Sequence, residues 1–131
     1  MDRAVYYKRM FFIGAIFNFV AGLGALFGRG HIETLASASP AVGPVGMELL
    51  GALVIVFGIG YWIVSQDIAR NHGIVTLGII GKLSVVAIFV QHVIVGDIPM
   101  ALAAPISGDL IFAALFAEFL LHGRRTISLA P

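Results

Sequence analysis

The stretch GIVTLGIIGKLSVVAIFVQHV, residues 73–93, is apolar enough to lie in lipid but carries Lys82 close to its centre. About 20 predominantly apolar residues are the length at which an α-helix crosses the hydrocarbon core of a bilayer. A lysine that stands alone at the centre of such a helix costs ~2.5–3.5 kcal/mol on insertion scales. The stretch therefore predicts a membrane-spanning helix, and it predicts that Lys82 has a polar partner elsewhere in the chain.

The composition of the whole chain is that of a membrane protein. Of its 131 residues 60% are hydrophobic and 11% are charged, whereas about a quarter of the residues in a soluble domain are charged. About four crossings nearly exhaust this length, so we expect a single transmembrane domain over residues 1–131. The chain has no cysteine, which excludes a disulfide framework, a thiol nucleophile and a Cys-ligated metal. Its net charge of +1, without a basic run, argues against nucleic acid as a partner.

Four apolar runs divide the chain, at residues 10–28, 47–65, 73–95 and 100–121. Because lipid offers no hydrogen-bond partners, each run must be helical or part of a closed barrel, and continuous apolarity without alternation excludes the barrel. The connections over residues 66–72 and 96–99 are short, so neighbouring helices should pack antiparallel. The prediction is an all-α integral membrane protein, a bundle of four transmembrane helices.

The distribution of charge predicts the orientation of this bundle. Only Arg29 lies on the side opposite the termini, whereas the side that holds both termini carries Arg3, Lys8, Arg9, Arg70, Arg124 and Arg125. By the positive-inside rule both termini are cytoplasmic. The aromatic residues Tyr6, Tyr7, Tyr61 and Trp62 should then lie at the cytoplasmic interface.

The N-terminal segment has a competing interpretation as a signal peptide, because ASA at residues 36–38 resembles a cleavage site. The apolar run before it is longer than the usual core of about 7–15 residues. We therefore expect the first segment to be a permanent helix.

Lys82 and Asp109 should lie at the same depth in the membrane. Each is about nine residues into its span, which corresponds to ~13 Å at 1.5 Å per residue, and Asn18 lies at a similar level near the middle of the first span. We predict a Lys82–Asp109 ion pair at the midplane with Asn18 as a third member. Alternatively Lys82 extends toward the interface, or the pair only fixes the helix register; an intramembrane charge otherwise marks a ligand, proton or partner site.

Pro105 comes four residues before Asp109 in the fourth span. A proline inside a helix frees a backbone carbonyl and permits a kink. We expect a kinked or partly unwound helix at Asp109, with a cavity beside the ion pair in which a small ligand could lie.

The remaining polar residues fall into two groups near the membrane surfaces. On the outer side a hydrogen-bonded cluster is expected, rather than a metal site, because no spacing matches a known ligand pattern; its members are Gln91, His92, Asp97 and Glu48. On the cytoplasmic side Asp67 and Arg70 are spaced to pair as i, i+3. Glu118, one turn before His122, is expected to anchor the interface near Lys8, Arg9 or Arg70.

Two stretches resemble known proteins: GIGYWIVSQDIARNHGIVTLGIIGKL at residues 58–83 and GDLIFAALFAEFL at residues 108–120. Together they are similar to small bacterial four-helix inner-membrane proteins of unknown function, which are loosely DoxX-like. Lys82 follows a Gly-x-x-Gly in this pattern and Asp109 follows a glycine. The resemblance implies four helices, a location in the bacterial inner membrane and importance for the pair, but no chemistry. Proteins similar to DoxX have been associated with quinone-linked redox complexes.

No catalytic pattern is present in the sequence: it has no nucleophile elbow, no phosphate-binding glycine loop and no paired acids suited to hydrolysis. The prediction is a non-enzymatic bundle without cofactor or metal. It is embedded in the lipid bilayer, and it either binds a small or lipidic ligand or is an accessory subunit of a membrane complex, associating with other membrane-protein chains or with its own copies. The alternatives are a small proton-coupled transporter that acts as an oligomer, and a quinone-linked redox subunit in which His72, His92 or His122 would bind haem.

Overall fold

A computed structural model describes residues 2–28, 44–96, 98, 100 and 103–128 of the chain. Within these residues the elements, in chain order, are α1 (Arg3–Phe27), α2 (Pro44–Gln66), α3 (His72–Val95), α4 (Ala103–Glu118), a π-helical turn (Phe119–Gly123) and α5 (Arg124–Ser128). The fourth helical unit is continuous from α4 through the π-helical turn into α5. All four units are long and apolar enough to cross a membrane, so the prediction of an all-α bundle of four candidate spans is confirmed.

Local capping explains where the helices begin and end. The carboxylate of Asp2 accepts a hydrogen bond from the Ala4 amide at 3.2 Å, and α1 therefore begins seven residues before the apolar run at residue 10. The α3 helix ends at Gly96, whose φ of 87° is left-handed and whose N–H bonds the carbonyls of His92 and Val93. Glycine adopts this conformation without the steric cost that a Cβ imposes.

The closest backbone approaches occur within two pairs of helices, α1 with α2 and α3 with α4. A Cβ atom on Gly22 would lie 2.8 Å from the Gly51 carbonyl oxygen, and a Cβ on Gly51 would lie 2.8 Å from the Gly22 carbonyl oxygen. Small residues that let two backbones approach in this way are typical of membrane helix interfaces. The α1–α2 pair is therefore held by reciprocal backbone packing.

Large aromatic side chains fill the space between the two pairs at the end of the bundle that holds both chain termini, which we call the terminal end. Phe11 of α1 stacks on Phe116 of α4 at 4.8 Å between ring centroids, and Tyr61 of α2 meets Phe116 edge-on at the same distance. Tyr61 is 1% exposed and Tyr7 is 3% exposed. Of the four aromatic residues expected at the interface, Tyr7 and Tyr61 pack their rings into the bundle, whereas Tyr6 and Trp62 are exposed.

The irregularity in the fourth helical unit lies at its terminal end rather than at Pro105. Because α4 begins at Ala103, Pro105 falls in the first turn, where a backbone N–H has no partner within the helix. The expected unwinding at Asp109 is therefore absent, and Asp109 lies inside a regular α-helix. The π-helical turn lies instead beside Tyr7, where both Phe119 and Gly123 are buried. A Cβ on Gly123 would lie 2.5 Å from Tyr7 Cζ.

Candidate functional site

The Lys82 ammonium group lies inside the bundle with two oxygen partners. Its Nζ donates to Oδ1 of Asp109 at 2.6 Å and to Oδ1 of Asn18 at 3.1 Å. Lys82 is 4% exposed and Asn18 is 5% exposed. The structure thus brings together the three residues of the predicted midplane site, and Lys82 is not extended toward the interface.

The Asn18 amide extends this network to α2, the remaining helix of the bundle. Its Nδ2 donates to the backbone carbonyl of Val54 at 3.1 Å, so one path of hydrogen bonds runs from α2 through α1 and α3 to α4. Gly58 lies one turn after Val54, and a Cβ there would lie 3.2 Å from Asn18 Cβ and closer still to the Phe19 ring. The glycine therefore gives Asn18 room to reach the carbonyl.

Three aromatic rings surround the ammonium group. Lys82 Nζ lies 5.3 Å from the ring centroid of Phe17, 5.4 Å from that of Tyr61 and 5.7 Å from that of Phe112. Within about 6 Å the negative face of an aromatic ring attracts a cation, most strongly where water is excluded. These rings occupy space beside the pair in which we had expected a ligand cavity.

Two glycines make room for these rings. A Cβ on Gly78, one turn before Lys82, would lie 2.6 Å from Tyr61 Cε1. A Cβ on Gly108, next to Asp109, would lie 2.6 Å from Phe17 Cζ. The rings themselves were missed in the sequence, although Phe17 adjoins Asn18 and Phe112 lies three residues after Asp109 on the same helix face.

The two charged side chains differ in how much of them is accessible. The Lys82 side chain is 5% exposed, whereas that of Asp109 is 20% exposed. A charge-assisted hydrogen bond of 2.6 Å in a medium of low dielectric holds both groups firmly. The hydrogen bonds connect four helices at one point. The Asp109 carboxylate is the member of the pair that is accessible from outside the protein.

The predicted outer cluster lies only partly within the described residues. Gln91, His92 and Glu48 are exposed, and Asp97 lies outside the described residues. Within the part of the chain that the structure describes, no group of three or more histidine, aspartate or glutamate residues could hold a metal ion.

The two interactions predicted near the terminal end have different outcomes. Arg70 Nε lies 3.6 Å from Asp67 Oδ2, with both side chains well exposed, which makes a weak surface pair. Glu118 accepts from the Tyr7 hydroxyl, which lies 2.9 Å and 3.0 Å from its two carboxylate oxygens. Glu118 had been expected near Lys8, Arg9 or Arg70, and Tyr7 was missed as its partner.

Two grooves open on the surface, at opposite ends of the bundle. The apolar groove, of about 330 Å³, runs between the second half of α3 and the first half of α4; among the residues that line it are Val86, Val90, Ile94, Ala103, Ile106 and Leu110. The basic groove, of about 300 Å³, lies at the terminal end between α1 and α2 and is lined by Lys8, Arg9, Phe12, Ser65 and Gln66. Neither groove is lined by Lys82, Asp109 or Asn18.

Comparison of the chain with protein-family models, with curated proteins and with solved structures finds no match.

Proposed function

We propose that this chain is a non-enzymatic, multi-pass protein of a bacterial inner membrane, with both termini in the cytoplasm, and that it acts as an accessory subunit of a membrane complex. The observation that carries the proposal is the enclosure of Lys82. Its ammonium group donates to two oxygens and is covered by three rings. A charge that is enclosed by its own chain stabilises the packing of the helices. We therefore assign the contact with other molecules to the surface of the bundle.

The apolar groove is the part of that surface best suited to a partner helix. Ile94 is 79% exposed, Leu110 51% and Val90 46%, and the groove between them belongs to two helices that lie in the membrane. Association of helices in lipid depends on van der Waals packing, which a groove between two helices provides on both of its walls. We therefore place the partner's transmembrane helix between α3 and α4.

Native mass spectrometry of the protein extracted from its own membrane in mild detergent tests this proposal. Ile106→Trp fills the groove, whereas Val20→Trp places the same side chain on α1 at a position that is 67% exposed. We expect a reproducible partner chain with the wild type and with Val20→Trp, and its loss with Ile106→Trp. A partner retained by both variants would overturn the assignment of the groove.

The same measurement distinguishes the binding of a lipidic ligand. The groove volume of about 330 Å³ falls at the lower end of the range of ligand pockets, and its walls suit an acyl or isoprenoid chain. A defined mass increment of a small molecule, present without a partner chain and lost in Ile106→Trp, would replace the accessory-subunit function by ligand binding.

Proton-coupled transport by an oligomer is a second candidate, favoured by the partial exposure of Asp109. A carboxylate that is 20% exposed while it holds a buried ammonium group can exchange a proton without opening the Lys82 site. Transport predicts that Asp109→Asn abolishes substrate-driven proton movement in vesicles while the protein stays folded, and unchanged flux would exclude it.

The redox alternative gains no support from the described histidines. His72 lies at the terminal end, with Nε2 3.0 Å from the Ile68 carbonyl oxygen and its ring against Phe119. His92 is exposed in the last turn of α3, at the opposite end of the bundle. A haem held between two imidazoles needs both on one iron, whereas His72 and His92 lie at opposite ends of the bundle; His122 is exposed in the π-helical turn at the terminal end.

A further inference from the structure

We infer that the basic groove binds the headgroup of an anionic phospholipid. Lys8 and Arg9 of α1 face Ser65 and Gln66 of α2 across a volume of about 300 Å³. Arginine binds phosphate through two parallel N–H donors and lysine binds it as a point charge. The two cations therefore provide both the charge and the geometry that a phosphate group requires.

The depth of the groove matches the level of the headgroups. Lys8 lies ten residues and Arg9 nine residues from Asn18 along α1, which corresponds to ~15 Å and ~13 Å at 1.5 Å per residue. Half of a hydrocarbon core of ~30 Å is ~15 Å. If Asn18 and Lys82 mark the midplane, Lys8 and Arg9 lie where the hydrocarbon ends and the phosphates begin.

The groove also has an apolar floor suited to the first part of an acyl chain. Phe12 lies one turn below Lys8 and is 46% exposed. Trp62 lies one turn below Gln66 and is 47% exposed. A cationic rim above exposed aromatic side chains is the order of groups that a phospholipid presents from headgroup to chain, and it favours a lipid over a free phosphate ion.

The polar wall on α2 is held in place by internal hydrogen bonds. Ser65 Oγ donates to the Trp62 carbonyl at 2.6 Å and accepts from Gln66 Nε2 at 3.1 Å. The competing explanation for the two cations is that they face the last turn of α2, where backbone carbonyls attract positive charge. The two explanations differ in what removal of the cations should change.

Trp62 is the single tryptophan of the chain. It does not line the groove itself, but one turn below Gln66 it reports on lipid beside it. Brominated phosphatidylglycerol or brominated phosphatidylcholine, mixed into vesicles that contain the full chain, quenches Trp62 fluorescence in proportion to its occupancy beside the ring. We expect the wild type to prefer the anionic lipid, and we expect Lys8→Gln and Arg9→Gln each to reduce that preference about fivefold. Lys8→Arg should retain it.

The variant Arg124→Gln is the matched control, because it removes one positive charge, as each test variant does, from a residue at the terminal end that does not line the groove. The inference requires that this control keep the preference. The inference would be overturned if the control lost as much of the preference for anionic lipid as the Lys8 and Arg9 variants. It would also be overturned if the wild type showed no preference. Reduced thermal stability of the Lys8 and Arg9 variants with unchanged lipid preference would likewise overturn it, since the cations would then serve only the end of α2.

Inorganic phosphate at millimolar concentration distinguishes the two sources of the phosphate group. We expect it to leave the quenching by brominated phosphatidylglycerol unchanged, beyond the effect of sodium chloride at equal ionic strength. Specific competition by inorganic phosphate would overturn the assignment to a lipid.

Discussion

Lys82 holds its ammonium group between two oxygens, one on α1 and one on α4. Removal of one member of such a buried pair leaves the other charge without compensation, which in proteins costs about 3–5 kcal/mol. Replacement of both members by apolar side chains removes the charge as well as the pair. The double substitution should therefore cost less stability than the single one.

Lys82→Met alone should lower the free energy of unfolding in detergent by about 3–5 kcal/mol, and Lys82→Met combined with Asp109→Leu should recover much of that loss. Thermal unfolding of the two variants in the same detergent is the measurement. Arg70→Met, which removes a cation whose side chain is 85% exposed, is the control. A fully stable Lys82→Met protein would show that the pair does not hold the bundle.

Tyr7→Phe should destabilise the protein by about 1.5–3 kcal/mol, because it removes a hydrogen bond to the Glu118 carboxylate and keeps the buried ring. Tyr6→Phe, at the adjacent position and 40% exposed, should have little effect. Chemical denaturation of both variants tests the difference. Equal stability of the two proteins would mean that water replaces the hydroxyl without cost.

The contact between Lys82 and Asp109 could be predicted by counting residues along each span, because this count gives the depth of a residue in the membrane. The two residues lie at the same depth, and a buried charge needs a partner. The rings of Phe17, Tyr61 and Phe112 do not follow from counting. Whether a ring at the right depth meets the ammonium group depends on the rotation of its helix about its own axis. In a bundle that is apolar on all sides, the sequence pattern carries little information about that rotation.

At the scale of helices, contact between α1 and α2 depends on the absence of a side chain at Gly22. A Cβ there would lie 2.6 Å from Ile55 Cγ1 and 2.8 Å from the Gly51 carbonyl oxygen. The backbone oxygen cannot move without separating the two helices. Gly24, two residues further along α1, has no atom within 4 Å of its Cβ position.

Gly22→Ala should therefore cost about 1–3 kcal/mol of stability through overpacking, whereas Gly24→Ala should be neutral or slightly stabilising because alanine favours the helix. The two variants are compared by thermal unfolding in one detergent. Equal effects of the two substitutions would contradict the close approach of the backbones at Gly22.

The helix boundaries show which features of an element a sequence predicts well. The apolar runs located all four helices, since their length is a requirement of the bilayer. Pro105 was assigned to the wrong place in its helix because an apolar run does not mark the first hydrogen-bonded turn. The π-helical turn at Phe119–Gly123 has no local signal, because it depends on how Tyr7 packs against Gly123.

For the whole molecule, the two grooves lie at opposite ends and the basic residues concentrate at the terminal end. The proposed orientation, with both termini in the cytoplasm, rests on that asymmetry of charge. The absence of cysteine from the chain allows each end to be marked by a single introduced thiol.

Thr126→Cys marks the terminal end, and Met100→Cys marks the opposite end at a position that is 67% exposed. In intact spheroplasts a membrane-impermeant maleimide should label Met100→Cys, and it should label Thr126→Cys only after lysis. The reverse pattern would place the terminal end outside, and labelling of both in intact spheroplasts would show that the fourth helical unit does not cross the membrane.

The hydrogen bond from Lys82 to Asp109 spans 27 residues, and this separation bears on how the protein is made. A ribosome delivers α3 to the insertion machinery before α4, so the ammonium group arrives there ahead of its counter-ion. The short connection after Gly96 would allow both segments to enter the lipid together. We therefore expect the helical hairpin of α3 and α4, rather than the single helix, to be the unit of membrane integration.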